Sequence, residues 1–269
     1  MGQGNGEAGG LSRPVAKVVK LVCDRLVDCR RALFVTGAVM SVDSGLPTYR
    51  GVGGLYEGIA TEDGMAIEDA LSGHTMESDP ALSWKYILEI ERTTRGARPN
   101  RGHECIAELE QHFDELWILT QNVDGLHRAA GSTQVIDIHG NVRELMCSRD
   151  SCDYRERVTD FAGLSCPPRC PKCDAIVRPD VVLFGEMLPT AKVDLLRQRL
   201  VLGFDAVVSV GTSSLFPYIS QPVTLARRSG ALTVEINPGQ THLSDVVDHH
   251  IAAQATVALA AIVADLNDR

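Results

Sequence analysis

The chain has 269 residues, 44% of them hydrophobic, and a formal net charge of −9. That length suits one large domain or a domain with a sizeable insertion, and the apolar fraction is ordinary for a chain that buries a real core. The acidic balance argues against a specific nucleic-acid surface.

Eight cysteines without a secretory leader point to a reduced, cytoplasmic protein with metal or thiol chemistry. Gly6 stands where a myristoylation signal needs Ser or Thr, so no lipid anchor is expected. The longest apolar stretch, 251–264, carries Gln254 and Thr256 and is too short to span a membrane.

In chain order, the Gly-rich first 12 residues are expected to be a disordered tail. Residues 15–29 have helical periodicity, with Val15, Val18, Val19, Val22 and Leu26 on one face. Residues 32–36 read as a buried strand ending at Gly37, and 45–58 as a Gly-rich functional loop. Helices are expected over 68–71, 80–93 and 102–112, and buried strands over 116–119 and 135–138. The stretch 147–173 lacks periodicity and suggests a small metal-stapled insertion. Beyond it the pattern predicts an extended 179–184, helices over 192–202, 222–229 and 252–266, and strands over 205–210 and 232–236. The alternation predicts an α/β fold with a doubly wound parallel sheet and helices on both faces.

Polar clusters follow two of the strands directly: Gln121-Asn122-Val123-Asp124 and His139-Gly140. Polar groups past the carboxyl ends of strands in an open α/β sheet commonly bind ligands, although Asn, Asp and Gly are also ordinary turn residues. Gly37 begins a turn suited to a pyrophosphate, with Ser41 and Ser44 close behind. Arg50 supplies a charge for phosphate and Tyr49 a flat face for a ring. The loop Gly211-Thr212-Ser213 and the strand tip at Asn237 complete the outline of a dinucleotide site. Cys147-x4-Cys152, seventeen residues, then Cys170-x2-Cys173 is close to the spacing of a structural zinc ribbon, with Cys166 a conceivable alternative partner of Cys170. Cys23 and Cys29 on the first helix, and Cys105 on a later one, read as core or surface residues.

The blocks GAVMSVDSGLPTYRG (37–51), TQNVDGLH (120–127), IHG (138–140), the four cysteines, RPDVVLFGE (178–186), GTSS (211–214) and EINP (235–238) stand in one order. Together they resemble the sirtuins of bacterial type, NAD-dependent protein deacylases. The resemblance implies a Rossmann-like NAD-binding domain over 13–50, 100–145 and 180–269. It also implies a small domain made of a helical module (51–99) and a zinc ribbon (146–179), with one structural Zn2+ on Cys147, Cys152, Cys170 and Cys173.

It further implies attack of an acyl-lysine oxygen on the NAD ribose, with release of nicotinamide and formation of O-acyl-ADP-ribose. His139 would be the general base, and Asn122 would position the ribose. Asp124 would hold the nicotinamide carboxamide. Gly37, Ala38, Ser44, Tyr49, Arg50, Gln121, Gly211, Thr212, Ser213 and Asn237 would line the rest of the dinucleotide. Val182, Phe184, Gly185 and Glu186 would pair with an acyl-lysine protein or peptide as an added strand. Mono-ADP-ribosyl transfer or NAD hydrolysis in the same cleft, and a weakly active NAD-binding sensor, are the alternative functions.

Two positions depart from the family pattern. Val39 stands where a Gly-Ala-Gly run has its second glycine, which predicts a less favourable backbone and reduced efficiency with NAD. Ile87 and Ile90 stand where relatives that remove acidic acyl groups carry Tyr and Arg, which predicts acetyl or longer apolar acyl groups.

Overall fold

The structure is a computed structural model and describes residues 11–47 and 61–269. Tyr49 and Arg50, most of the Gly-rich loop and the first ten residues lie outside the described residues.

Helix α1 (Arg13–Leu26) has a proline in its first turn, where a missing amide costs no intrahelical bond. Strand β1 (Arg31–Thr36) follows. Two short helices, α2 (Ile67–Ala70) and α3 (Gly73–Ser78), lead into α4 (Pro80–Thr94), whose first turn is capped by Asp79. Helix α5 (Arg101–Leu109) opens on a capping box between Asn100 and His103. Then come β2 (Glu115–Thr120), α6 (Leu126–Ala129) and β3 (Val135–Asp137). Strands β4 (Gly140–Cys147), β5 (Arg155–Arg157) and β6 (Val177–Val181) precede α7 (Thr190–Leu202). The chain continues through β7 (Ala206–Val210), α8 (Pro217–Ser229), β8 (Leu232–Ile236), β9 (His249–Ile251) and α9 (Ala255–Asn267).

Six strands form one parallel sheet in the order β3-β2-β1-β7-β8-β9. With the excursion through β4–β6 set aside, this is the Rossmann order. Strand β1 is central. The chain first winds to one side of it through β2 and β3, then returns to pair β7 on the other side. The carboxyl ends of β1 and β7 therefore meet at the topological switch point, where a crevice opens.

The sheet is buried on both faces, which explains why its strands read as continuous apolar runs. Phe34, Ile118 and Val208 face a core shared with α1, α5 and α9. Leu33, Val35 and Val207 face the other side, against Leu196 of α7 and Ile219 and Val223 of α8. A third core joins α2–α4 to the antiparallel sheet β5-β4-β6 and includes Trp84, Ile87, Leu145, Phe161, Val177 and Leu183. Trp84 anchors it, donating from Nε1 to the Val177 carbonyl at 3.0 Å with its ring edge against Phe161.

Two sequence expectations are corrected. Helix α1 ends at Leu26, so Cys29 lies in the turn beyond it, buried against the first core. Helix α8 begins at Pro217, not Pro222. Pro217 fills the first helical position, while Pro222 sits inside the helix and packs into the buried face. The expected extended segment 179–184 is the end of β6 running on to a bridge at Phe184, before the chain bends at Gly185. Glu186 closes that bend: its carboxylate accepts from the Leu183 amide at 2.9 Å and pairs with the Arg178 guanidinium through both oxygens.

Candidate active site

The crevice is built where two loops touch. Gly37 donates its amide to the Val210 carbonyl, and Val39 donates to the Gly211 carbonyl at 3.1 Å. A Cβ on Gly37 would lie 2.6 Å from Thr212 Cβ, and one on Gly211, whose φ is +58°, would lie 2.8 Å from the Met40 amide nitrogen. The two strand ends can approach this closely only because both residues are glycine.

Val39 lies in the 3-10 turn Ala38–Ser44, and among the described residues only Asp174 and Ser214 are non-glycine residues with positive φ. The expected backbone strain at Val39 is therefore absent. Its side chain instead fills the space over Gly211, whose added Cβ would sit 3.0 Å from Val39 Cβ.

Hydrogen bonds tie the strand tips to one another. Gln121, just past β2, donates from Nε2 to Thr212 Oγ1 at 2.8 Å, and Asn237, just past β8, donates from Nδ2 to the Thr212 carbonyl at 3.3 Å. Asn122 donates to the Gly37 carbonyl at 3.0 Å and to Ser41 Oγ at 3.1 Å. Ser41 in turn donates to Asp124 Oδ2 at 2.8 Å. The other oxygen of Asp124 accepts from the Leu126 amide at 2.9 Å, so Asp124 is at once a turn residue and part of the cleft. Ser44 Oγ accepts from Asn100 Nδ2 at 3.0 Å, which binds the 3-10 turn to the start of α5. Ser213 is exposed beside these groups.

Beneath this layer lies a buried polar network that sequence reasoning missed. His103 Nε2 lies 3.5 Å from Ser41 Oγ, and its ring meets that of His127 edge-on at 4.9 Å. His127 Nε2 lies 2.9 Å from Thr36 Oγ1, which bonds Thr120 across β1 and β2 at 2.9 Å. Burial pushes the His127 imidazole down to about 3 and lowers that of His103, so both are neutral at pH 7. His127 stood in the TQNVDGLH block, and His103 three residues after a helix-capping Asn; those were the available signals.

His139 follows β3. Its Nδ1 lies 3.0 Å from the Gln121 carbonyl, which can only accept, so Nδ1 carries the ring proton and Nε2 presents the lone pair. Tyr218 Oη lies 2.7 Å from Nε2 and donates to it. Burial lowers the His139 pKa below the ordinary histidine range. The Gln121 carbonyl opposes that shift, and Lys192 nearby adds to it. Tyr218 was also missed, because the expected start of its helix fell after it.

The segment 182–186 leaves β6 beside His139. Val182 donates its amide to the His139 carbonyl at 2.8 Å, and Phe184 exchanges backbone hydrogen bonds with Leu71 and Gly73, both at 3.0 Å. Both oxygens of Glu186 are taken by the Arg178 clasp, so its side chain serves the loop. Ile87 is buried and Ile90 half-buried on α4 in the third core.

The four cysteines converge as expected. The Sγ atoms of Cys147, Cys152, Cys170 and Cys173 all lie within 4.8 Å of one another, with Cys147–Cys173 at 3.5 Å and Cys152–Cys170 at 3.7 Å. A tetrahedron with Zn–S bonds of about 2.3 Å has S···S edges of about 3.8 Å, so the donor set fits zinc. Cys166 is exposed and outside the cluster, which excludes it as the partner of Cys170.

A parallel sheet with this strand order, glycine-paired loops at its switch point and a four-thiolate ribbon define an α/β nucleotide-binding protein with a structural metal module. The profile of the Sir2 family matches residues 37–216, and the chain belongs to that family. It is 48% identical to "NAD-dependent protein deacylase 2" of Pseudomonas aeruginosa, over 88% of this chain and 93% of that one. It is 38% identical to "NAD-dependent protein deacylase 1" of Caldanaerobacter subterraneus subsp. tengcongensis, over 84% and 89%. Among solved structures it superimposes on a Sir2 homologue in complex with NAD with a TM-score of 0.82 at 30% identity, covering 97% of each chain. A Sir2–p53 peptide–NAD+ complex superimposes with a TM-score of 0.79 at 27% identity, over 93% of this chain and 99% of that one.

Proposed function

We propose that the chain is an NAD-dependent protein-lysine deacylase whose general base is His139. One observation carries the reading: the glycine-paired cradle at the ends of β1 and β7 and the Nε2 lone pair of His139 border the same crevice, with Asn122 and Asp124 between them. The larger domain holds the dinucleotide and the smaller one carries zinc.

Bound NAD supplies an electrophilic ribose carbon and the ADP-ribose that carries the acyl group away. Gly37, Ala38, Ser44, Gly211, Thr212, Ser213 and Asn237 would line its path; the family resemblance adds Tyr49 and Arg50, which lie outside the described residues. Gln121 and Asn122 orient the ribose end, and Asp124 offers an acceptor to the carboxamide. Its partner Ser41 keeps that carboxylate turned into the cleft. His139, neutral at pH 7 because burial depresses its pKa, accepts a proton at Nε2. The backbone of Val182 to Glu186 borders the acyl-lysine peptide, and Phe184, exposed there, offers an apolar contact. The apolar Ile87 and Ile90 leave no cation for an acidic acyl group, which favours acetyl or longer apolar chains. No helix among the described residues is long and apolar enough to cross a membrane, and a cysteine-rich chain with a four-thiolate site suits a reducing compartment.

The test is mass spectrometry of both products from NAD and an acetyl-lysine peptide, beside His139→Ala. Deacylated peptide with an equal amount of O-acetyl-ADP-ribose is expected, and a loss of about 10²- to 10⁴-fold in kcat in the variant. ADP-ribose or an ADP-ribosylated peptide in place of these products would move the assignment to hydrolysis or transfer.

A further inference from the structure

The lone pair that a base at His139 must use is already occupied. Neutral imidazole has a single acceptor nitrogen, and with Nδ1 protonated against the Gln121 carbonyl that nitrogen is Nε2. Tyr218 Oη donates to it at 2.7 Å. A hydroxyl arriving from the cleft must either displace the phenol or pass its proton through it.

The surroundings of Tyr218 favour passage. Its ring is stacked on Phe216 at 5.5 Å and 14°, and the His139 ring stands edge-on to both. Its backbone is in the first turn of α8, where the following Ile219 is buried in the second core and Pro222 is buried one turn on. These ring contacts and the buried residues of the same turn favour the phenol's position on the imidazole, although Phe216 itself is half-exposed. Its oxygen, once donating to Nε2, still has acceptor lone pairs. Burial raises its pKa above the ordinary tyrosine range, so it keeps the proton it must hand on. The other charged groups around His139 do not compete for Nε2: Lys192 is bonded to the Asp137 carbonyl at 2.7 Å and paired with the Asp137 carboxylate at 3.1 Å.

We propose that Tyr218 is a proton relay, standing between the cleft and His139. The relay rests on His139 as the base. Tyr218 Oη would take a proton from a hydroxyl in the cleft, forming one O–H bond and leaving that oxygen with the electron pair and negative charge it needs as a nucleophile, while the original Tyr218 O–H bond breaks and its proton forms an N–H bond at Nε2. Tyr218 ends neutral, and the positive charge ends on the His139 imidazolium.

Tyr218→Phe tests this, because it keeps the ring and the stacking and removes only the oxygen. In the whole zinc-loaded chain without cofactor, the 15N resonance of His139 Nε2 is expected to move as the nitrogen loses its donor. With NAD and acetyl-lysine peptide, kcat is expected to fall about 10²-fold with KM for NAD unchanged and nicotinamide release retained. An unmoved resonance would overturn the inference, and so would a moved resonance with kcat unchanged or raised, since Tyr218 would then be a spectator or a removable cap. Full activity in His139→Ala would instead overturn the base assignment on which the relay rests.

Discussion

The zinc ribbon and the nucleotide crevice are both convergences of side chains, but they are assembled in opposite ways. The ribbon draws all its ligands from one stretch of 27 residues, Cys147 to Cys173, on two tight turns. The crevice draws on residues from Gly37 to Asn237, brought together because five strand ends share one edge of a sheet. The first depends on local spacing and a metal; the second depends on topology and a net of hydrogen bonds. Damage should therefore spread differently from each.

The chain's two tryptophans report on the two regions separately, Trp84 in the small core and Trp117 in the large one. The largest effect is expected from Cys173→Ser. Structural zinc sites in small modules contribute roughly 10 kcal/mol of apparent binding energy, so losing a ligand should release the metal and loosen the core around Trp84. Metal analysis and the fluorescence of a Trp117→Phe background would follow this. A mirrored loss of Trp117 signal in a Trp84→Phe background would break the comparison by showing that the large sheet leans on the metal as well.

A smaller effect should come from acid. Burial holds the folded-state pKa of His127 at about 3, below the unfolded value of about 6.5. Unfolded chains then bind the proton first, so this contribution to stability is complete above pH ~6.5 and declines as pH falls toward 3, by on the order of 1 kcal/mol per pH unit. Denaturant titrations of wild type and His127→Gln across that window should show a shallower acid decline in the variant. Equal slopes would mean the crevice floor does not control acid stability.

The smallest effect is expected from Val39→Gly. With no left-handed backbone to relieve, the variant removes only a side chain packed over Gly211. KM for NAD should fall less than about tenfold, and stability should fall by about 0.5–1 kcal/mol through added chain entropy. A larger gain in NAD affinity would mean that valine obstructs the cradle.

The same contrast explains what the sequence made legible. The four ligands could be read from spacing, since each pair lies within a single turn. The central strands could be read because parallel strands buried on both faces are continuous apolar runs. The cluster from Gln121 to Asp124 and His139 could be read because polar residues follow such runs abruptly. Tyr218 could not, because Pro222 looked like a helix start and only packing against the second core carries a helix through it. His103 and His127 escaped because a buried, neutral histidine leaves no periodic trace. The Arg178–Glu186 clasp escaped because a salt bridge between a strand and its following loop depends on where the chain bends.

The loop closed by that clasp is also a mechanical link. At one end Phe184 is laced to Leu71 and Gly73 of the helical module, and at the other Val182 grips the backbone of His139 itself. A displacement of α2 and α3 relative to β6 would have to break or carry these backbone bonds, one of which ends on the His139 carbonyl. The segment 182–186 thus ties the backbone beside the catalytic imidazole to the start of α3 through main-chain bonds alone, so no substitution of its side chains removes the link directly.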